Sequence, residues 1–133
     1  MSKLLESEAF AAVLNCTVNP ERLEEIGRSN GTGYGSYEDC AEYIICHVDY
    51  YDKNEFIELF RLTDAIRERW DYYGIDFSIY IYLRDGKIVG GHIFKYKETS
   101  WGCHFRPTGY EMEPTQQEIR ITRRILKYLT SES

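Results

Sequence analysis

The sequence predicts an α+β fold: N-terminal helices, then a three-stranded antiparallel β-meander, then a C-terminal helix packed on one sheet face. Three observations carry this. The run "DFSIYIYLRDGKIVGGHIFKY" alternates apolar and polar residues by two around Asp85-Gly86, and Asp-Gly between alternating runs is a strong hairpin signal. Before it, apolar residues return at helical spacing in several short segments. After it, "PTQQEIRITRRILKYLTS" opens with Thr115 and Glu118 at capping-box spacing. That last segment then carries Ile121, Ile125, Leu126 and Leu129 on one face.

The elements follow in order. "SKLLESEAFAAVLNC" sets Leu5, Ala9, Val13 and Cys16 on one helical face. "NPERLEEIG" offers Asn19 as N-cap, Pro20 at the first helical position, acids in the first turn and Gly27 at the end. The glycines of "NGTGYGS" are read as a loop or hinge between helices. Ser36 and Asp39 then resemble a capping box, and Cys40, Ile44, Val48 and Tyr51 follow at roughly helical steps, which predicts a helix. Asp52 and Glu55 repeat the capping pattern, so a break is expected near Tyr51–Asn54. A further helix, "EFIELFRLTDAIRERW", then buries Phe56, Phe60, Ile66 and Trp70 and closes at Gly74. With a two-residue turn at Asp85-Gly86, hairpin partners sum to 171. That register sets Leu83 against Ile88, Ile79 against His92 and Phe77 against Phe94, with Asp76 opposite Lys95 and Tyr80 over Gly91. "SWGCHF" supplies the third strand, with Trp101, Cys103 and Phe105 on one face.

Composition bounds the function. The 133 residues are 43% hydrophobic and 29% charged, without a low-complexity linker or repeat, so residues 1–133 read as a single compact domain. A chain of this length buries a sufficient core without staples. Sixteen basic residues stand against 22 acidic ones, net −6, which argues against a protein whose main task is gripping nucleic-acid phosphates. The imbalance is uneven: Met1–Ile66 holds five basic and thirteen acidic residues, Arg67–Ser133 eleven and nine. Tyrosine is abundant, 12 residues, and its ring with a wet end suits interfaces. The opening is interrupted by Glu6 and Glu8, which is unlike a signal peptide, and no apolar run approaches a membrane span. Cys16, Cys40, Cys46 and Cys103 lack paired spacing, so free thiols in a cytoplasmic protein are expected.

Each candidate chemistry has an ordinary counter-reading. A phosphate loop at "GTGYGS" would need a preceding strand, or a Lys-Ser/Thr after its glycines, and has neither in the sequence reading. Glu38 and Asp39 would repel phosphate there. Cys46-His47, Cys103-His104 and His92 match a Cys₂His₂ zinc set in number, but adjacent residues diverge on a helix or strand, so each pair gives one ligand. A Cys103–His92 nucleophile pair would sit among Trp101 and Phe105, where a thiol is raised in pKa, not activated. Asp49 and Asp52, one helical turn apart, read as a solvated face. No metal, cofactor or catalytic residue is expected.

The order helix, three strands, helix over Asn54–Ser131 resembles that of double-stranded-RNA-binding domains, and "LRDGKIVGG" is similar to hairpins of acetyltransferases. The first family has a lysine cluster opening its last helix, where this chain has "PTQQE". The second has a Gly-rich pyrophosphate loop before a helix, absent after "CHFRPTGYE". Neither resemblance carries residue roles over.

Two surfaces remain. Glu38, Glu42, Asp49, Asp52, Glu55 and Glu58 are interleaved with Tyr37, Tyr43, Tyr50 and Tyr51. Arg120, Arg123, Arg124 and Lys127 form one basic stripe on the last helix. The sequence is therefore read as a small, acidic, non-enzymatic binding protein. Its partner site is Glu38, Glu42, Asp49, Tyr50, Asp52 and Glu55, and its partner a basic protein. Size and charge are those of inhibitors of nucleic-acid-handling proteins, such as phage anti-CRISPRs or toxin immunity proteins. The alternative is an RNA-binding module using Arg120, Arg123, Arg124 and Lys127 with the sheet face bearing Tyr80, Tyr82, Arg84 and Lys87. A thiol-dependent enzyme is a third class. A homodimer is compatible with each.

Overall fold

The Asp85-Gly86 turn sets the geometry of the sheet. Both residues have positive φ, 54° and 76°, the type I′ pairing whose twist matches the flanking strands. The computed structural model describes residues 8–28, 32–36, 42–98 and 109–131. Within these, five strands form one antiparallel sheet in chain order: β1 (Thr32–Gly35), β2 (Glu42–His47), β3 (Ile75–Arg84), β4 (Lys87–Glu98) and β5 (Gly109–Glu111). A helical turn at residues 8–11, within the N-terminal helix expected from the sequence, comes first; the named helices are α1 (Pro20–Gly27), α2 (Asn54–Phe60), α3 (Asp64–Tyr72) and α4 (Gln116–Thr130), with a 3₁₀ turn at Val48–Tyr50. The fold is α+β, as expected, but the sheet has five strands where the sequence suggested three.

The two extra strands come from the segment read as glycine loop and helix. Cys40, Ile44 and Val48 recur every four residues, and four is also a multiple of two. Cys46 decides it: it is fully buried beside Ile44 and Val48, which is strand alternation, and "EYIIC" has the branched and aromatic residues that suit a pleated surface. Its edge partner is the glycine segment, with Gly35 opposite Tyr43. A Cβ at Gly35 would collide with the Tyr43 ring. The glycine admits the aromatic instead of turning the chain.

The hairpin register is right at the turn and shifted beyond it. Leu83 pairs with Ile88, but Tyr82 pairs with Gly90, so Val89 is an extra residue in a β-bulge. From there Phe77 opposes Lys95, Asp76 opposes Tyr96, Ile79 opposes Ile93 and Tyr80 opposes His92. The expected Asp76–Lys95 pair is therefore absent. Gly91 faces the core, where the ring of Phe10 rather than Tyr80 lies over it. "SWGCHF" falls outside the described residues; the strand that follows the hairpin is β5, pairing with Tyr96–Glu98.

The helices meet one face of this sheet. Phe77, Ile79, Ile81, Leu83, Ile88 and Ile93 are buried there. Trp70 of α3 stacks on Phe77 with centroids 5.0 Å apart, and α4 reaches the same face through Glu118. The run "EFIELFRLTDAIRERW" is two helices, because Arg61 takes a left-handed conformation and Thr63 recaps the chain, its hydroxyl accepting from Ile66 N–H. Phe56, Phe60, Ile66 and Trp70 are buried as expected. The break before α2 is present, though Lys53 is its N-cap and gives no side-chain bond. Asn19 caps α1 through Glu21 N–H, and Thr115 with Glu118 makes the full capping box on α4.

Candidate acidic cleft

Where β2 leaves the sheet, the 3₁₀ turn Val48–Tyr50 lies over the start of β3, with Asp49 bonded to Phe77 N–H. This junction leaves a cleft of about 580 Å³ lined by Asp49 and Tyr50 of the 3₁₀ turn, Asp64, Arg67, Glu68, Trp70 and Asp71 of α3, Gly74, Ile75 and Asp76, and Glu98 at the end of β4. Six of these are carboxylates, and Arg67 is the single cation. Asp64, Glu68 and Asp71 share a wall because residues four and seven apart lie on one helical side. Asp76 and Glu98 come from opposite ends of the hairpin, brought together by the pairing of Ile75 with Lys97. Trp70 lines the cleft yet is buried, its Nε1 donating to Glu118 Oε2 at 2.8 Å.

Asp49 sits deepest in conflict with its surroundings, a carboxylate pressed against the start of β3. Burial raises its pKa to about 6, against the N–H groups of Phe77 and of Asp49 itself, and the Asp76 charge raises it further. Its Oδ1 accepts from Phe77 N–H at 3.3 Å. Arg67 turns its guanidinium to the main chain here, its Nη2 donating to the carbonyl of Tyr51 at 3.2 Å. Burial lowers the pKa of His47, with Asp76 opposing, and its Nδ1 lies 3.1 Å from Ser78 Oγ. Beside the cleft, the exposed rings of Tyr72 and Tyr73 meet edge to face, and Lys97 Nζ lies 5.2 Å from the Tyr73 centroid.

The predicted partner residues divide. Asp49 and Tyr50 line the cleft, with Asp52 and Glu55 exposed on the chain leading into α2. Asp49 and Asp52 are not on one helix, since a 3₁₀ turn and an extended segment hold them. Glu42 borders a different concavity, between α1 and the β1–β2 edge, with Leu23, Tyr34 and Tyr43. Tyr51 is wholly buried against Phe56 and Phe60, not a surface residue. Glu38 and Tyr37 lie outside the described residues. Sequence reasoning missed Asp64, Glu68, Asp71, Asp76 and Glu98; the spacing of the first three was a legible signal.

The residues of the nucleic-acid alternative fall on two layers. Arg120, Arg123 and Lys127 are exposed on α4, and Arg124 is half-buried. Tyr80 and Tyr82 project from the sheet face opposite the core, where Tyr80 packs against Tyr43 and Phe94, and Phe94 stacks on Tyr96. Helix stripe and tyrosine face do not form one surface.

The thiol and metal candidates of the sequence fall partly outside the described residues, Cys103 and His104 among them. Burial pushes the Cys46 thiol up to about 11, away from the thiolate a nucleophile needs. His92 Nε2 lies 2.6 Å from Glu111 Oε1, and Cys103 is outside the described residues. No three His, Cys, Asp or Glu side chains among those described are grouped to hold a metal ion. No described helix is long and apolar enough to cross a membrane. No protein-family model matches the chain, and comparison with curated proteins and with solved structures finds no match.

Proposed function

We propose that this chain is a small, non-enzymatic binding protein whose acidic cleft receives basic side chains of a partner protein. The observation that carries the reading is the cleft lining, six carboxylates against one arginine. Charges of one sign along low-dielectric walls focus their field and speed the approach of an oppositely charged partner. Tyr50 and Tyr72, 59% and 82% exposed, flank the cleft with the amphipathic rings that interfaces favour. A cytoplasmic inhibitor of a nucleic-acid-handling protein, in the manner of anti-CRISPR or immunity proteins, fits this chemistry, because such partners present arginines and lysines meant for phosphate.

The RNA-binding alternative would have to use the outer aromatics or the α4 stripe separately. One experiment distinguishes the two readings. A partner is captured from the source cell, and its binding is compared for the wild type, a cleft triple (Glu68→Gln, Asp71→Asn, Glu98→Gln) and a stripe triple (Arg120→Gln, Arg123→Gln, Lys127→Gln). The cleft reading expects the first triple to slow association about tenfold or more at low salt, with the second nearly silent. Loss of binding in the stripe triple alone overturns it.

A further inference from the structure

Arg61 ends α2 in a left-handed backbone conformation, φ 56° and ψ 47°. Helices usually stop there on Gly or Asn, because a Cβ is disfavoured. An arginine at this position is held against a backbone cost, which directs attention to its side chain. Arg124 approaches the same point from α4, its Nη1 donating to the carbonyl of Phe60 at 3.5 Å. Arg120 lies one turn earlier on the same side of α4.

Capping the end of α2 explains one guanidinium, not three. Arg123 is turned elsewhere, 3.7 Å from Glu8, and Asp64, three residues beyond Arg61, lines the acidic cleft. Among the described residues, none of Arg61, Arg120 and Arg124 is in an ion pair with a carboxylate. This happens in a chain carrying 22 acidic residues. Burial, then the Arg61 and Arg120 charges, lower the pKa of Arg124. Crowded like charges of this kind are relieved by an anion, and the planar fork of Arg matches phosphate oxygens in pairs.

We propose that Arg61, Arg120 and Arg124 form a binding site for a phosphoryl dianion, whether free phosphate or a phosphomonoester on a small molecule or peptide. The site is independent of the acidic-cleft reading and excludes Arg123. The arginine side-chain N–H resonances of the full chain, labelled with nitrogen, are followed during titration with inorganic phosphate, with sodium chloride at matched ionic strength as control. Saturable shifts in these three arginines with phosphate, and not with chloride, are expected. Arg61→Gly suits the left-handed backbone and keeps the fold, and Arg120→Gln removes an exposed charge; each should weaken phosphate about tenfold while the melting temperature holds or rises. Phosphoserine and a nucleoside monophosphate run in parallel: equal affinity assigns a bare phosphoryl site, and a tighter member names the source, both supporting the proposal. Absence of a saturable shift overturns it, as does undiminished phosphate binding by Arg61→Gly. So does a short RNA that binds through Arg123 and Lys127 while inorganic phosphate is inert.

Discussion

Lys95 and Glu118 meet across the boundary between sheet and helix, Nζ to Oε1 at 2.8 Å, each almost wholly buried. Glu118 is saturated from every side. Oε1 also accepts from the backbone of Thr115 at 2.7 Å, and Oε2 accepts from Trp70 Nε1. Its own N–H donates to the Thr115 hydroxyl, and its carbonyl accepts from Thr122. A single carboxylate thus caps α4, orients the Trp70 indole and neutralises the lysine of β4. Buried ions are tolerated only with such complete partnering.

Removing the carboxylate should therefore be severe. Glu118→Ala is expected to cost about 3–5 kcal/mol, because it strands a buried ammonium as well as removing a cap. Lys95→Met with Glu118→Ala should cost less than the sum of the single changes, since the stranded charge disappears. Urea unfolding of the two singles and the double checks both statements, and strict additivity would contradict them.

The pH dependence of stability turns on Asp49. Its folded pKa of about 6 lies above the ordinary 3.8, so the folded state binds this proton more tightly than the unfolded chain. The stabilisation is fully present below the unfolded value and is lost as pH rises through about 6. Asp49→Asn keeps an acceptor for Phe77 N–H and should be more stable than wild type at neutral pH, by about 1 kcal/mol after discounting solvent screening. The gap should close in mild acid. Thermal melts of both proteins across the acidic range test it; a gap that widens on acidification has the wrong sign.

Val89 provides a test of register. Deleting it should leave Leu83 opposite Ile88 and Tyr82 opposite Gly90 in a regular ladder, with each later residue on its present face. The deletion is expected to fold with a loss of about 1 kcal/mol. In an unbulged hairpin the same deletion would invert the face of every later residue in the strand. A folded deletion variant that retains native tertiary packing by near-ultraviolet circular dichroism is the expected outcome.

Gly91→Ala should destabilise by about 1–3 kcal/mol, as overpacking does, because its Cβ would enter the space of the Phe10 ring and press on the Tyr80 carbonyl. Trimming that ring with Phe10→Leu in the same chain should recover part of the loss. No recovery would mean that the Tyr80 carbonyl, not the Phe10 ring, is the obstacle.

Local signals were legible where a single residue type dictates geometry. Asp85-Gly86, the Asn19 cap with Pro20, and the Thr115–Glu118 box each appear as read. Legibility failed where two periods coincide, as at Ile44 and Val48, or where the backbone departs from a regular pattern, as at Val89 and Arg61. Gly33 and Gly35 carry no side-chain period, so their strand depends on tertiary partners, Tyr43 opposite Gly35 among them. The acidic cleft was half visible: Asp49 and Tyr50 were chosen from charge pattern, whereas Asp76 and Glu98 join them only through a hairpin whose ends meet.

Trp70 supplies a native optical reporter. It lies beneath the cleft, 2% exposed, stacked on Phe77 and bonded to Glu118, and the chain has two tryptophans. Trp101→Phe leaves one tryptophan, excited selectively at the red edge of the absorption band, whose emission wavelength is set by the polarity at the cleft floor. Quenching by acrylamide should be weak in the free protein. Cationic quenchers, concentrated by the surrounding carboxylates, should outperform anionic ones of equal size, so the local electric field can be read without any added dye.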